Sequence, residues 1–273
     1  MISPDDPRLQ PYRDIGISLR REPKRVFVAE GEKIVRRLWA SSFVCDSVLV
    51  SEKKLRRIEA DVPAGADVLV VSDETMQAVF GFKFHSGVMA TGVRRAWPTL
   101  EAWLADPRRH GLEVPLTPRV LLVLPEITDP LNLGSILRNA AGFGVAGVLL
   151  GPRCRDAMTR QSIRTSMGTI FTLPVCRSDD LAADFVRLRE AGFATWATVL
   201  DDSAVPLATL PPSPRVALLL GNEGPGLPPD VASACDVRVT IPMHNRTDSL
   251  NVAAASAVFL YELTRGAAPP RNE

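Results

Sequence analysis

Three stretches of this 273-residue chain place residues able to hold a ligand directly after apolar, β-branched runs, where the carboxyl ends of buried strands would deliver them to a cleft. In the first, Val120–Leu124 is followed by Asn132, Gly134 and Arg138, an amide, a glycine and a guanidinium at the start of a helical pattern over Leu133–Phe143. Asn132 reads as a helix N-cap or as a site residue, and Arg138 as a surface ion pair or as a cation held at a site edge. In the second, Val216–Leu220 runs into Gly221, Asn222, Glu223, Gly224 and Gly226. Glycines there let backbone N–H and C=O groups approach a ligand without a Cβ in the way. The plainer reading is a corner with a solvated Glu223. In the third, the strand Val237–Ile241 leads through Pro242 and Met243 to a helix start that Asp248 or Ser249 could cap, with Asn251 in its first turn.

Other chemistries find less support. Gly142, Gly144 and Gly147 match G-x-G-x-x-G, but that fingerprint binds pyrophosphate only when it follows a strand and opens a helix. Here the order is reversed, so these glycines read as a helix C-cap and a tight turn. No G-x-x-x-x-G-K-[ST] loop occurs. Cys45, Cys154, Cys176 and Cys235 are scattered, without the C-x-x-C spacing of zinc or redox sites, and read as four buried free thiols. No metal site is expected.

The elements that must position these residues form two α/β patterns. Strands Val26–Ala29, Val48–Val50, Val68–Val71 and Val88–Thr91 alternate with helices Glu32–Ala40, Glu52–Glu59 and Asp73–Phe80, giving a small first domain over residues 1–95. Val93–Arg119, with two Arg-Arg pairs, prolines and one weak helical segment at Leu100–Leu104, reads as linker over 96–118. A second domain over 119–268 has strands Val120–Leu124, Gly147–Leu150, Ala194–Val199 and Val216–Leu220, with helices Asp179–Ala191 and Ser249–Thr264, as expected of a parallel sheet covered by helices. With 32 Lys and Arg against 31 Asp and Glu, net charge +1, no global field draws the chain to nucleic acid or membrane. No apolar run nears the ~20 residues of a membrane span. The acidic, proline-rich start differs from a signal peptide, so a cytoplasmic location is expected.

Taken together, the three stretches resemble the SpoU (TrmH-like) RNA methyltransferases of the SPOUT class. Asn132, Gly134 and Arg138 match N-x-G-x-x-x-R; Gly221, Asn222, Glu223, Gly224 and Gly226 match G-N-E-G-x-G; Ile241, Pro242 and Met243, then Ser249, Leu250, Asn251 and Val252, match I-P-M and S-L-N-V. Phe27–Gly31 and Gly81–Ala90 resemble, more loosely, the family's auxiliary RNA-binding domain, a ribosomal-protein-like α/β fold. The resemblance implies a trefoil knot built from Leu219–Leu227 and Ile241–Val252. It also implies S-adenosylmethionine as cofactor, held by Thr198, Val199, Leu220, Gly221, Asn222, Glu223, Gly226, Ile241, Met243, Ser249 and Leu250. The implied reaction is methyl transfer to a ribose 2′-hydroxyl of rRNA or tRNA. Arg138 would then clamp phosphate and developing oxyanion, while Asn132, Glu223, Ser249 and Asn251 orient Arg138, ribose and loops. A homodimer through the knot domain is implied as well. Arg20, Arg21, Lys24, Arg25, Lys53, Lys54, Arg56 and Arg57 are the candidate RNA contacts of the first domain. Two positions depart from the pattern: Asn245 stands where glycine is usual, and Ala253 where serine is common. An RNA-binding module that kept the fold without transfer activity is the alternative, and an enzyme acting on a small molecule is a third reading.

Overall fold

The computed structural model describes residues 2–13, 25–80, 86–106, 119–201, 203–211, 213–245 and 248–265. The chain divides into two compact units, Met1–Ala96 with Ala157–Thr172, and Trp97–Asp156 with Leu173–Glu273.

The first unit contains α1 (Gln10–Arg13), β1 (Val26–Glu30), α2 (Glu32–Trp39), β2 (Cys45–Ser51), α3 (Glu52–Ile58), β3 (Asp67–Val71), α4 (Asp73–Phe80) and β4 (Val88–Val93). Its sheet has the order β1-β4-β2-β3, antiparallel on both sides of β4. The pair β2 and β3 is parallel, with α3 as the crossover that a parallel pair requires. Leu49, Leu69, Val71 and Met89 build a core that Leu9 and Tyr12 close from the N-terminal segment.

The second unit begins with α5 (Leu100–Ala105), β5 (Arg119–Leu124), α6 (Pro130–Gly142) and β6 (Gly147–Leu150). The chain then supplies α7 (Arg160–Thr165) to the first unit before returning as β7 (Val175–Arg177), α8 (Leu181–Glu190), β8 (Ala194–Thr198), β9 (Val205–Pro206), β10 (Arg215–Leu219), α9 (Pro229–Ser233), β11 (Val237–Thr240) and α10 (Val252–Thr264). Seven strands pair in the order β7-β6-β5-β10-β8-β11-β9, every pair parallel, so all their carboxyl ends share one edge. From β5 the chain steps outward through β6 to β7 and then builds the opposite side. The order therefore reverses between β5 and β10, the place where open parallel sheets hold ligands. Val120–Leu124 is wholly buried, which is why that strand reads as an unbroken apolar run.

Two readings of the sequence are corrected. The stretch taken as linker contains α5, whose Leu100 and Trp103 are buried in the core of the second unit. Arginine pairs and prolines flank that helix and hide it, and residues 107–118 lie outside the described residues. Ala157–Thr172, placed by the sequence inside 119–268, packs with the first unit. Phe171 stacks on Phe27 at 5.4 Å between ring centroids, Arg160 pairs with Glu30 at 2.6 Å, and Arg37 donates to the Met167 carbonyl. Among the described residues, no helix is long and apolar enough to cross a membrane.

Candidate active site

The loop after β5 delivers the first motif. Asp129 caps α6, accepting from the backbone N–H groups of Leu131 and Asn132, both at 3.2 Å, and Pro130 fills the first helical position. Asn132 thus lies inside the first turn and is not the cap. The Asp129-Pro130 pair is the usual signature of a helix start and could have revealed this. The helix ends at Gly142, and Gly144 has φ +65, as expected for the reversed glycine fingerprint.

A directed chain of hydrogen bonds joins the three motifs. Asn251 is the N-cap of α10, its Oδ1 accepting from Ala253 N–H at 2.9 Å and Ala254 N–H at 3.4 Å. With its oxygen so committed, its Nδ2 faces Asn132 and donates to Oδ1 at 2.9 Å. The Asn132 amide is thereby turned so that its Nδ2 donates to Glu223 Oε1 at 3.2 Å, where Asp129 N–H also donates at 3.3 Å. A carboxylate accepts and cannot donate, so it closes the chain in the only orientation the cap permits. Neither Asp248 nor Ser249 caps the helix, since the chain enters it two residues later than the sequence suggested.

Beyond Glu223 the glycine loop folds back on itself. Asn222 N–H donates to Gly226 O at 3.0 Å, and Gly226 N–H to Asn222 O at 3.1 Å. This return brings Gly226 and Leu227 over Gly221, where a Cβ would lie 2.4 Å from Gly226 C and Leu227 N. Only glycine fits there. A cavity of about 370 Å³ opens beside the loop, within the size range of small-molecule sites. Thr198, Val199, Leu220, Gly221, Asn222, Glu223, Gly226, Ile241, Met243, Ser249, Leu250 and Asn251 all line it. Leu200, Gly224, Leu227, Val252, Ala255 and Phe259, which the sequence reading did not assign, line it too. Val252, Ala255 and Phe259 reach it from one side of α10, at spacings of three and four residues. Thr198 Oγ1 donates to Leu219 O at 2.8 Å, tying the end of β8 to that of β10. Asn245 has φ +55, a left-handed conformation that glycine adopts freely and asparagine better than most other residues, which accounts for the departure from glycine.

Arg138 stands apart from this assembly. It is exposed on α6, does not line the cavity, and makes no hydrogen bond or ion pair among the described residues. Six residues at 100° each put it about 120° around the helix from Asn132, so the two side chains are not brought together. Of the candidate RNA contacts, Arg20, Arg21 and Lys24 lie outside the described residues. Lys53 pairs with Asp73 at 2.5 Å and Arg57 with Glu32 at 3.6 Å. Arg25, Lys54 and Arg56 form no ion pair among the described residues. The four cysteines are free; Cys45, Cys154 and Cys176 are buried, whereas Cys235 is partly exposed, against the expectation of four buried thiols. Burial pushes the Cys154 and Cys235 thiols up to about 11.

Known proteins resemble this chain over most of its length. The profile of the SpoU rRNA Methylase family matches residues 119–261, and that of an MRM3-like substrate binding domain matches residues 19–90. The chain belongs to the SpoU rRNA methylase family. An uncharacterised tRNA/rRNA methyltransferase of Mycobacterium tuberculosis is 37% identical, over 97% of this chain and 91% of its own length. The 23S rRNA (guanosine(2553)-2′-O)-methyltransferase RlmP of Bacillus subtilis is 27% identical, over 94% of this chain and 95% of its own. The crystal structure of an AdoMet-bound rRNA methyltransferase from Sinorhizobium meliloti superposes with a TM-score of 0.80 at 28% identity, covering 97% of each chain.

Proposed function

We propose that this chain transfers the methyl group of S-adenosylmethionine to a ribose 2′-hydroxyl of structured RNA, rRNA or tRNA. The observation that carries the reading is the hydrogen-bond chain Asn251–Asn132–Glu223, in which Asn132 of the first motif ties together two residues, Glu223 and Asn251, that line the cavity. The cavity suits the cofactor: apolar Val199, Leu227, Val252 and Phe259 can cover its uncharged parts, and the glycine loop offers backbone groups with open space beside Gly226. When bound, S-adenosylmethionine supplies an electrophilic methyl group on a sulfonium that departs as a neutral thioether.

The residues then divide the work. Gly221, Asn222, Gly226, Leu220, Ile241, Met243, Leu250, Thr198 and Val199 hold the cofactor. Asn132, Glu223, Ser249 and Asn251 fix the wall against which the ribose is presented. The Arg138 guanidinium, without a hydrogen bond among the described residues, is available to an RNA phosphate and to the oxyanion that forms as the 2′-hydroxyl gives its proton to water. The same reading gives Arg25, Lys54 and Arg56 to RNA phosphates. It assigns Leu219–Leu227 and Ile241–Val252 to a trefoil knot, in keeping with the Gly226–Leu227 backbone lying over Gly221. It makes the protein a cytoplasmic homodimer, supported by Val258 and Tyr261, 43% and 61% exposed on α10. A light-scattering mass of one chain at micromolar concentration refutes the dimer.

The test of the reaction uses the RNA that this protein methylates, made with a single 2′-deoxy nucleotide at the target. The expected outcome is binding without methyl acceptance, since the 2′-hydroxyl is the nucleophile. Methylation of the deoxy substrate, or label recovered on a base after digestion to nucleosides, overturns the reading.

A further inference from the structure

The face that α6 turns to α10 carries a second asparagine. Asn139 lies seven residues, about two turns, beyond Asn132 and therefore on the same stripe of the helix. Its Nδ2 donates to Ala253 O at 2.8 Å and to Ser256 Oγ at 2.9 Å. Ser256 is fully buried, and its own hydroxyl donates to Ala253 O at 2.7 Å. Because a backbone carbonyl only accepts, the NH2 side of the Asn139 amide must face α10. Farther along, Phe143 meets Tyr261 at 6.4 Å between ring centroids. The contacts Asn132–Asn251, Asn139–Ala253/Ser256 and Phe143–Tyr261 step in the same direction on both helices. The two helices therefore run side by side, α10 starting at the cavity and α6 starting beside Glu223 of its rim.

Neighbouring helices with apolar faces can slide past one another at little cost, whereas a partly buried amide such as that of Asn139, with specified acceptors, fixes one register. Ala253 is the residue whose N–H is held by Asn251 Oδ1 and whose carbonyl is held by Asn139. Register along the helices and orientation of the cap thus meet at one peptide-flanked residue. We propose that Asn139 is a positioning residue for the methyl-transfer site. Through Ala253 and Ser256 it sets the register of α10 against α6, so that Asn251 reaches Asn132 and Asn132 in turn is aimed at Glu223. This rests on the function proposed above. Asn139 acts through the other asparagines and touches neither cofactor nor RNA.

The test is a double-mutant cycle with Asn139→Ala, Asn251→Ala and both together, measured as kcat and KM for the RNA and as S-adenosylmethionine affinity. Asn139→Ala should lower kcat about 10-fold with RNA KM changed less than about 3-fold. In the Asn251→Ala background, the same substitution should lower kcat less than about 2-fold further, because the contact it positions is already gone. Additive losses overturn the proposal. Asn139→Leu, close in volume, repeats the cycle should the alanine variant fold poorly. A readout independent of turnover keeps this test separate from that of the function. With 15N-asparagine labelling, Asn139→Leu should shift the side-chain amide resonances of both Asn132 and Asn251. Unmoved resonances refute the positioning role even if the wild-type chain transfers no methyl group, whereas an inactive wild type with shifted resonances refutes only the assigned reaction.

Discussion

Replacing Gly221 by alanine tests whether the returning glycine loop shapes the cavity. The new Cβ would lie 2.4 Å from Gly226 C and Leu227 N and 2.8 Å from Gly226 Cα, all backbone atoms. Ordinary contact begins near 3.5 Å, so the loop must move by about 1 Å. A shift of that size pulls the paired bonds between Asn222 and Gly226, now 3.0 and 3.1 Å, beyond hydrogen-bonding range. Overpacking of this kind costs about 1–3 kcal/mol, and each lost bond about 1 kcal/mol. If the loop keeps part of its structure, about 2–4 kcal/mol falls on cofactor binding, weakening it about 30- to 1,000-fold. Calorimetric titration with S-adenosylmethionine measures this, and a melting curve shows how much strain the whole fold carries instead. Gly224→Ala is the contrast in the same loop, because a Cβ there meets only Asn222 Oδ1 at 3.9 Å, and its melting temperature should match the parent. A Gly221→Ala protein with cofactor affinity within 3-fold of the parent and an unchanged melting temperature would falsify the argument.

Glu223→Ala leaves Asp129 N–H and Asn132 Nδ2 without their shared acceptor; transfer should fall by about 10²-fold or more, while Glu223→Gln, which keeps an acceptor oxygen, should lose less. Equal losses in the two variants count against the directed chain. Arg138→Ala should lower transfer about 10²–10³-fold with cofactor affinity and melting temperature unchanged, since the side chain neither lines the cavity nor bonds any described residue. A melting temperature lowered by several degrees would show a structural role instead. For the thiols, burial raises Cys154 and Cys235 to about 11, so the folded state favours the protonated form. The stability this gives is fully present below the unfolded value of about 8.5 and is lost as pH rises from there toward 11. Reaction of Cys235 with a disulfide reagent should be slow at pH 8 and accelerate about tenfold per pH unit; rapid modification at pH 7 contradicts the assignment.

Much of the strand framework was legible because buried parallel strands leave unbroken apolar runs: Gly147–Leu150 was read to the residue, and Val120–Leu124 to within one. Helix starts were less legible. Asn132 and Ser249 are both good capping types, but the caps are Asp129 and Asn251; the Asp129-Pro130 pair marks the first start locally, whereas at the second Asn251 is held by a tertiary hydrogen bond to Asn132 that no local pattern carries. The motif residues of the second and third stretches could be placed at one site from their order after strands. Their mutual orientation could not, because it depends on the helix cap consuming Asn251 Oδ1 and so leaving Nδ2 to donate to Asn132. The short strand Val175–Arg177 escaped notice since three residues give no period. Helix α3 shows a different limit: its basic run is visible in sequence, yet the partners of Lys53 and Arg57 are Asp73 and Glu32, from other elements, and not the nearby Glu52 and Glu59.

The visit of Ala157–Thr172 to the first unit changes how this protein can be made and taken apart. The chain passes between units at Ala96, at Asp156 and again at Thr172, so a single cut between the units leaves them covalently joined. During synthesis, the aromatic cluster of Phe27 and Phe43 waits for Phe171, and the Glu30 carboxylate for Arg160. The N-terminal unit is therefore completed only after β5, α6 and β6 have emerged from the ribosome, reversing the simple order in which the first domain folds before the second begins.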